Sequence, residues 1–330
     1  MQTVIELSRM RHNIRRIRNK TGNGFCAVVK ADAYGHGLVC APGIEPVVDC
    51  FMVATASEAY ALSAICRKPI LTLGGDIYPY VTRFDSKIIP TVCNTAQLGD
   101  VVRAGYKRFS IAVNTGMNRL GADENELNRM VAMCKELDLP PWSVFSHVYN
   151  GMYSAGEQAL EFDRLTSDKI FKNKHLYCSC ALDLDGFNLY DMIRCGIAMY
   201  GYGKDLDVCM RVRAKIVELR RVARGQYIGY GEHALDHDAV IATVSMGYAD
   251  GLRRCDKQLY LRVRDVKCPI VGVPCMDMCM IDVTKAPCRV GEFAYLIKEK
   301  SDAEFLAKCY NTIVYEVLTG FNGRAERIIT

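Results

Sequence analysis

Short apolar runs alternate with amphipathic stretches over the first two thirds of the chain. Runs at 25–30, 51–55, 70–73, 88–92, 109–113, 144–147, 176–179 and 193–199 have strand length and are built mainly from β-branched, aromatic and small apolar residues. The segments between them carry helix signals. Ser57 is placed to cap the run Glu58-Ala59-Tyr60-Ala61-Leu62, Asn94 precedes Thr95-Ala96-Gln97-Leu98, and Ala122-Asp123-Glu124 opens a periodic stretch that reaches Leu137. Ahead of the first run, Met10, Ile14 and Ile17 recur at helical spacing. Eight strand–helix repeats in about 200 residues predict a closed parallel (β/α)8 TIM-type barrel rather than an open doubly wound sheet.

Beyond residue 205 the period changes. Alternating runs at 214–219, 240–245, 259–263, 270–273, 279–283 and 294–297 are separated by Gly, Pro and Asp turns, and a single helix is expected at 301–310 with Ser301 as its N-cap. This pattern predicts a mainly antiparallel β domain. A further strand at 3–7 has no place in a barrel already filled, so it is expected to pair with the C-terminal strands. The expected division is a barrel over 9–205 and a β domain over 206–330 that also takes residues 1–8.

Composition excludes more than it selects. The 330 residues are 50% apolar and 24% charged, with a net charge of +5, which is ordinary globular usage. No apolar stretch reaches membrane-spanning length, and the N-terminal run is too short and too acidic for a signal peptide. Arg9, Arg11, Arg15, Arg16, Arg18 and Lys20 cluster, but the apolar stripe among them reads as a helix with a solvated basic face, and no aromatic platform suggests nucleic acid. Sixteen cysteines in a long chain, many in apolar runs, read as reduced thiols in the cytoplasm. Cys178 and Cys180 are too close for a usual zinc knuckle, and Cys275 and Cys279 lack a second pair, so no metal is expected.

Lys30 is the first candidate for chemistry. It follows Phe25-Cys26-Ala27-Val28-Val29 and precedes Ala31-Asp32-Ala33-Tyr34-Gly35-His36-Gly37, which reads as a loop. A lysine at the mouth of a buried strand is expensive as an ammonium, so it sheds its proton or finds a partner. A lysine of lowered pKa is what Schiff-base chemistry with an aldehyde requires. Barrel chemistry sits at the C-terminal strand ends, where Lys30, His147, Ser179 and Arg194 fall in this reading. Ser179, Gly196, Ile197, Gly35 and Gly37 offer small residues and exposed N–H groups suited to a phosphate. Each has a plain structural reading too: a snorkelling lysine, a satisfied histidine, an ion-paired arginine, a turn tyrosine at 230, a core-filling Met276. Taken together they point to a phosphorylated aldehyde cofactor.

The run from Ala27 to Gly37 resembles the pyridoxal-phosphate attachment motif of the alanine racemase family. The resemblance continues through Asn114-Thr115-Gly116-Met117-Asn118-Arg119-Leu120-Gly121, Arg194-Cys195-Gly196-Ile197-Ala198-Met199-Tyr200-Gly201 and Ile228-Gly229-Tyr230-Gly231. It extends to Gly247-Tyr248-Ala249-Asp250-Gly251, Cys275-Met276-Asp277 and Thr312-Ile313-Val314-Tyr315-Glu316, in the family's order. It implies a barrel followed by a β domain, a homodimer with shared active sites, and pyridoxal 5'-phosphate as cofactor. The implied activity is interconversion of L- and D-alanine, supplying D-alanine for peptidoglycan. Lys30 would attach the cofactor and act as base on one face of the substrate Cα, with Tyr230 from the other subunit as base on the opposite face. Arg194 would face the pyridine nitrogen, His147 would pack on the ring, and Arg119 would hold the phenolic oxygen beside the substrate. Tyr34, Ser179, Gly196, Ile197 and Tyr315 would bind the phosphate. Met276 through its backbone, Asp277 and Tyr248 would line the substrate approach.

Two positions depart from the family pattern. Ala112 stands where many members carry a modified, negatively charged lysine, so Arg119 must be oriented otherwise, for instance by a bound anion such as chloride. Cys178 stands where an asparagine commonly precedes the phosphate-binding serine. Serine, or alanine and serine together, is the alternative substrate, because a small apolar site rejects an added hydroxyl poorly. Tyr315, near the substrate in this reading, favours the smaller side chain. A non-catalytic pyridoxal-phosphate carrier is the alternative of another class, and a carrier has no need of Tyr230.

Overall fold

The apolar run at 25–30 folds as the strand Gly24–Val28, the first of the barrel. The computed structural model describes residues 1–74, 76–149, 151–168, 170–183, 190–231, 234–321 and 323–330. Gly24–Val28, Cys50–Val53, Ile70–Thr72 and Ile88–Ile89 pair in parallel in chain order. Thr91–Val92, Ser110–Ala112, Ser143–Phe145 and Lys174–His175 continue the series. Met192–Cys195 closes the circle onto Gly24–Val28, and a bridge from Arg194 to Cys178 joins its other side. The predicted strand at 88–92 is interrupted at Pro90, which has no N–H to give the ladder. Thr91 spans the gap, its N–H donating to Thr72 Oγ1 at 3.2 Å and its hydroxyl to the Thr72 carbonyl.

The predicted strand at 176–179 lies earlier, at Lys174–His175. Apolar patterning overlooks it because its inward residue is a fully buried histidine. Helices alternate with the strands. Leu7–Thr21 buries Met10, Ile14 and Ile17, each contributing about 1.5–3 kcal/mol when removed from water, and leaves Arg15 and Arg16 exposed. Thr55, not Ser57, caps Ala56–Ile65, because its side chain accepts the Glu58 N–H while Glu58 reaches back to the cap. Asn94 and Asp123 cap Thr95–Arg103 and Glu124–Glu136 in the same way, without the return bond.

The C-terminal strands order as Ala239–Val244, Cys279–Asp282, Val266–Val271, Tyr260–Val263, Phe293–Ile297, Met210–Val222, Gln2–Ile5 and Glu326–Ile329. Met210–Val222 also pairs with Ala239–Val244, so the first six strands close on one another. Bulges between Ile216 and Glu218 and between Val212 and Arg213 bend that long strand to serve both neighbours. Gln2–Ile5 joins this sheet as expected, antiparallel to Met210–Val222 and parallel to Glu326–Ile329. The expected single helix is Lys300–Cys309, and its N-cap is Glu299 rather than Ser301. A second helix, Val314–Thr319, is an addition; at six residues it is too short for periodicity to reveal.

The chain divides into two compact units, Met10–Ala33 with Leu38–Leu206, and Met1–Arg9 with Tyr34–Gly37 and Asp207–Thr330. No helix among the described residues is long and apolar enough to cross a membrane. All sixteen cysteines are thiols.

Candidate active site

Lys30 stands two residues past Gly24–Val28, just beyond the ladder rather than inside it. Burial lowers its pKa most, Arg119 and Arg194 push the same way, and Glu58 and Cys178 oppose them. The backbone then turns left-handed, with φ of 51, 53, 53 and 55° at Ala31, Asp32, Ala33 and Tyr34. Each such non-glycine residue costs on the order of 1–2 kcal/mol. The sequence reading predicts only a loop here. Ala31 N–H donates to Glu58 Oε1 at 2.6 Å, Ala33 N–H to the Val29 carbonyl at 2.9 Å, and Leu38 N–H to Asp32 Oδ1 at 2.7 Å. The second Glu58 oxygen accepts from Ala54 and Thr55 N–H at 2.8 and 3.1 Å. One carboxylate therefore ties the turn after Lys30 to the start of the next helix. Glu58 is missing from the predicted site, although the Thr55-x-x-Glu58 spacing was its signal.

Arg194 lies within Met192–Cys195 and is 3% exposed, and desolvation pulls its pKa down. Its Nη1 donates to the ring Nδ1 and to the carbonyl of His175, both at 2.7 Å. Its Nη2 donates to the carbonyls of Ser146 and Leu176 at 2.6 and 2.9 Å, with His147 Nδ1 farther off at 3.4 Å. Those four short bonds use all four terminal N–H groups. The Nε–H donates to no described residue, which leaves one donor for a ligand. His175, also absent from the predicted site, is held neutral by burial and then by Arg194. Accepting at Nδ1 places its proton on Nε2, which lies 3.0 Å from Ser143 Oγ. His147, two residues past Ser143–Phe145, has its pKa pushed down to about 3, by burial first and then by Arg194, Arg119 and Lys30. A neutral imidazole here adds no further positive charge to three cations.

Ser179 opens the short 3-10 turn Ser179–Asp183, and its Oγ accepts from Gly196 and Ala198 N–H at 3.2 and 3.3 Å. The Ile197 N–H between them donates to no described residue. The Ile197 amide and the Ser179 hydroxyl, beside two amides that now donate to that hydroxyl, are donors an anion at the end of Met192–Cys195 could use. Arg119 is exposed and makes no ion pair among the described residues, on a loop whose turn is held by Asn114 Oδ1 accepting from Gly116 and Asn118 N–H at 3.1 and 3.0 Å. Ala112 is buried on the strand beneath, where its carbonyl accepts the Ala122 N–H. Buried Gln158 joins these loops, donating to Thr115 Oγ1 at 3.0 Å and to the His147 carbonyl at 2.9 Å, and accepting from Tyr149 N–H and Ser154 Oγ.

The remaining predicted residues belong to the other unit. Tyr34 and Tyr315 meet, their rings 5.9 Å apart and tilted. Gly35 answers to packing, since a Cβ there would meet the Leu318 carbonyl at 2.1 Å. Tyr248, Met276 and Asp277 are exposed in neighbouring loops; Tyr248 and Ala249 N–H donate to the Cys275 and Met276 carbonyls, both at 3.0 Å. A Cβ on Gly247 would lie 2.3 Å from those carbonyls, so only glycine admits this approach. Arg324 Nη1 donates to Asp277 Oδ1 at 2.7 Å. Tyr230 is 68% exposed, held by a backbone bridge to Val273 and flanked by Gly229 and Gly231 at φ of 63 and 84°.

The barrel gathers a lysine of lowered pKa, two arginines, a neutral histidine and an amide-lined anion cradle, an arrangement chemically suited to an anionic aldehyde. Comparison with known proteins gives the family. Residues 5–204 match the model of the alanine racemase N-terminal domain and residues 209–329 that of the C-terminal domain, so the chain belongs to the alanine racemase family. An alanine racemase of Sorangium cellulosum is 32% identical over 98% of this chain and 97% of its own length. One from Thermodesulfovibrio yellowstonii is 30% identical over 99% and 97%. The solved alanine racemase of Clostridium difficile superposes with a TM-score of 0.92 at 28% identity, covering 100% of this chain and 95% of that one. That of Bartonella henselae, solved with covalently bound pyridoxal phosphate, gives 0.87 at 26% identity, covering 100% and 99%.

Proposed function

We propose that this chain is a pyridoxal-phosphate-dependent alanine racemase that works as a homodimer by a two-base mechanism. The observation that carries the reading is Lys30, an amine whose proton is loosened by burial and by Arg119 and Arg194. Its surroundings suit the cofactor. Arg194 keeps one donor, Nε–H, for a ring nitrogen, and Ser179 with the 196–198 amides fits a phosphate. Bound there, pyridoxal phosphate supplies the electron-withdrawing ring that acidifies the substrate Cα–H. Lys30 would hold it through its amine and, as a base, would take or return the Cα proton on one face. Tyr230 of the partner subunit exchanges it on the other face. Arg194 would hold the ring nitrogen through a donor that does not surrender its proton. His147 would pack on the ring, Arg119 would hold its phenolic oxygen, and Tyr34 and Tyr315 would join the phosphate. Met276, Asp277 and Tyr248 line the substrate approach. The product serves peptidoglycan synthesis in the cytoplasm.

Alanine is supported as the substrate by the relatives' names. The test incubates the purified chain with pyridoxal phosphate and, in parallel, L-alanine or L-serine, with chiral detection. Borohydride-treated protein is mapped by mass spectrometry. Equal amounts of the two alanine enantiomers, with the cofactor fixed on Lys30, are expected. Cofactor on Lys30 without any change of enantiomer would make the chain a carrier, and faster turnover of serine would reassign the substrate.

A further inference from the structure

We propose that Cys178 and Cys180 are an oxidation site, at which peroxide converts the pair to a disulfide that encloses Ser179 and withdraws its hydroxyl from the anion cradle. Their Sγ atoms lie 3.1 Å apart. Cys180 is exposed and Cys178 half-buried, so an oxidant reaches the pair. Two virtual bonds of 3.8 Å hold residues i and i+2 roughly 5–7 Å apart, which overlaps the Cα separation that disulfides occupy. Cys26 and Cys50 also face each other across paired strands, but both are fully buried. Cys178 and Cys180 thus combine proximity with access.

The environment assigns the two sulfurs different parts. The two sulfurs share a hydrogen bond and Arg194 adds its positive charge, so the Cys178 thiol is pulled down while that of Cys180 is pushed up. The Cys178 thiolate attacks one peroxide oxygen; the O–O bond breaks, hydroxide leaves, and Cys178 becomes a sulfenic acid. The Cys180 sulfur then attacks the Cys178 sulfur. The S–S bond forms, the S–O bond breaks, and water leaves with the Cys180 proton. Two thiols lose two electrons, and the peroxide, with the hydroxide reprotonated, becomes two waters.

Ser179 is the residue inside the new ring. Its Oγ now accepts from Gly196 and Ala198 N–H, and ring closure rotates the backbone that aims it. The consequence is weaker cofactor retention, and this half of the proposal rests on the cofactor reading above. A short strained ring is also readily reduced, so the modification is reversible.

The experiment treats the cofactor-loaded full chain with hydrogen peroxide, quenches it with iodoacetamide in denaturant, and digests it with trypsin. Peptide 175–194 contains Cys178 and Cys180 and no other cysteine. Expected is a peptide lighter by two hydrogens and free of alkylation, restored by dithiothreitol, with retained pyridoxal phosphate falling on the same time course. In Cys180→Ser, Cys178 should stop at a sulfenic acid that dimedone traps, and the cofactor should stay bound. Two alkyl groups on the wild-type peptide after oxidation, or Cys178 driven directly to sulfinic acid, would overturn the site. Equally fast cofactor loss in Cys180→Ser would overturn the disulfide as its cause. A chain that forms the disulfide yet held no pyridoxal phosphate beforehand supports the site and refutes the cofactor reading instead.

Discussion

Arg194 Nη1 lies 2.7 Å from His175 Nδ1, with both side chains buried in the barrel wall. The pair fixes the guanidinium so that Nε is its one donor with no partner among the described residues. His175→Phe keeps the bulk and removes the acceptor, leaving a buried charged donor unpaired at a cost of about 1–3 kcal/mol. The urea midpoint should fall accordingly, and pyridoxal phosphate should bind less tightly as the Nε donor loses its aim. His175→Asn, whose Oδ1 can accept in place of Nδ1, should recover most of the cofactor affinity. Equal cofactor affinity in all three proteins would refute the positioning role.

His147 makes stability depend on pH in a definite direction. Folded, it stays neutral down to about 3; unfolded, it takes a proton below its ordinary 6.5. Between those values the unfolded chain binds more protons, so this contribution is complete above 6.5 and is lost as pH falls, by up to about 1.4 kcal/mol per pH unit. His175 acts in the same sense. Exposed His237 acts oppositely, because Asp236 and Asp282 raise its pKa and its contribution fades as pH rises. Urea midpoints of cofactor-stripped protein between about pH 5 and 6.5, above the usual carboxylate range, isolate the histidines. The wild type should lose stability on acidification more steeply than His147→Asn. Parallel lines for the two would contradict the assignment.

Glu58→Gln separates two roles of one carboxylate. An amide cannot accept at both ends, so either Ala31 or the Ala54 and Thr55 N–H groups lose their acceptor, at about 1–2 kcal/mol. The charge that opposes the lowering of the Lys30 pKa also disappears. Expected are a lower urea midpoint together with half-maximal cofactor attachment at a lower pH than in the wild type. An upward move of that pH would show that geometry, not charge, governs Lys30.

How much of this was legible in the sequence follows from what each residue faces. The barrel strands other than Lys174–His175, the β domain and the pairing of the strand Gln2–Ile5 are readable because apolar side chains mark their elements. Lys30, Ser179 and Arg194 stand out as candidates because charge or small size interrupts an apolar run. His175 and Gln158 are not, since their importance lies in partners far along the chain, and a buried polar residue looks exposed until its acceptors are known. The left-handed turn after Lys30 escapes for a related reason: Ala31 and Ala33 have no intrinsic preference for positive φ, and tertiary hydrogen bonds impose it. Thr55 displaces Ser57 as a cap because the Glu58 return bond decides between two acceptable oxygens.

Tyr230 offers a test of both the second base and its subunit. Its hydroxyl is on the surface, so Tyr230→Phe should change stability by no more than about 0.5 kcal/mol. Cofactor attachment to Lys30 should persist, while racemisation falls about 100- to 10,000-fold, the range for losing a positioned acid–base group. In deuterated water, Lys30 alone should still exchange the Cα hydrogen of one alanine enantiomer without inverting it. Lys30→Ala should lose both attachment and turnover. The two inactive proteins can then be unfolded together and refolded as a mixture. If Tyr230 serves the partner's site, each hybrid dimer has one site lacking both bases and one site intact, and the equimolar mixture recovers about one quarter of wild-type activity. If Tyr230 serves its own chain, every site in the mixture lacks one base and no activity returns, which would refute a site shared between subunits.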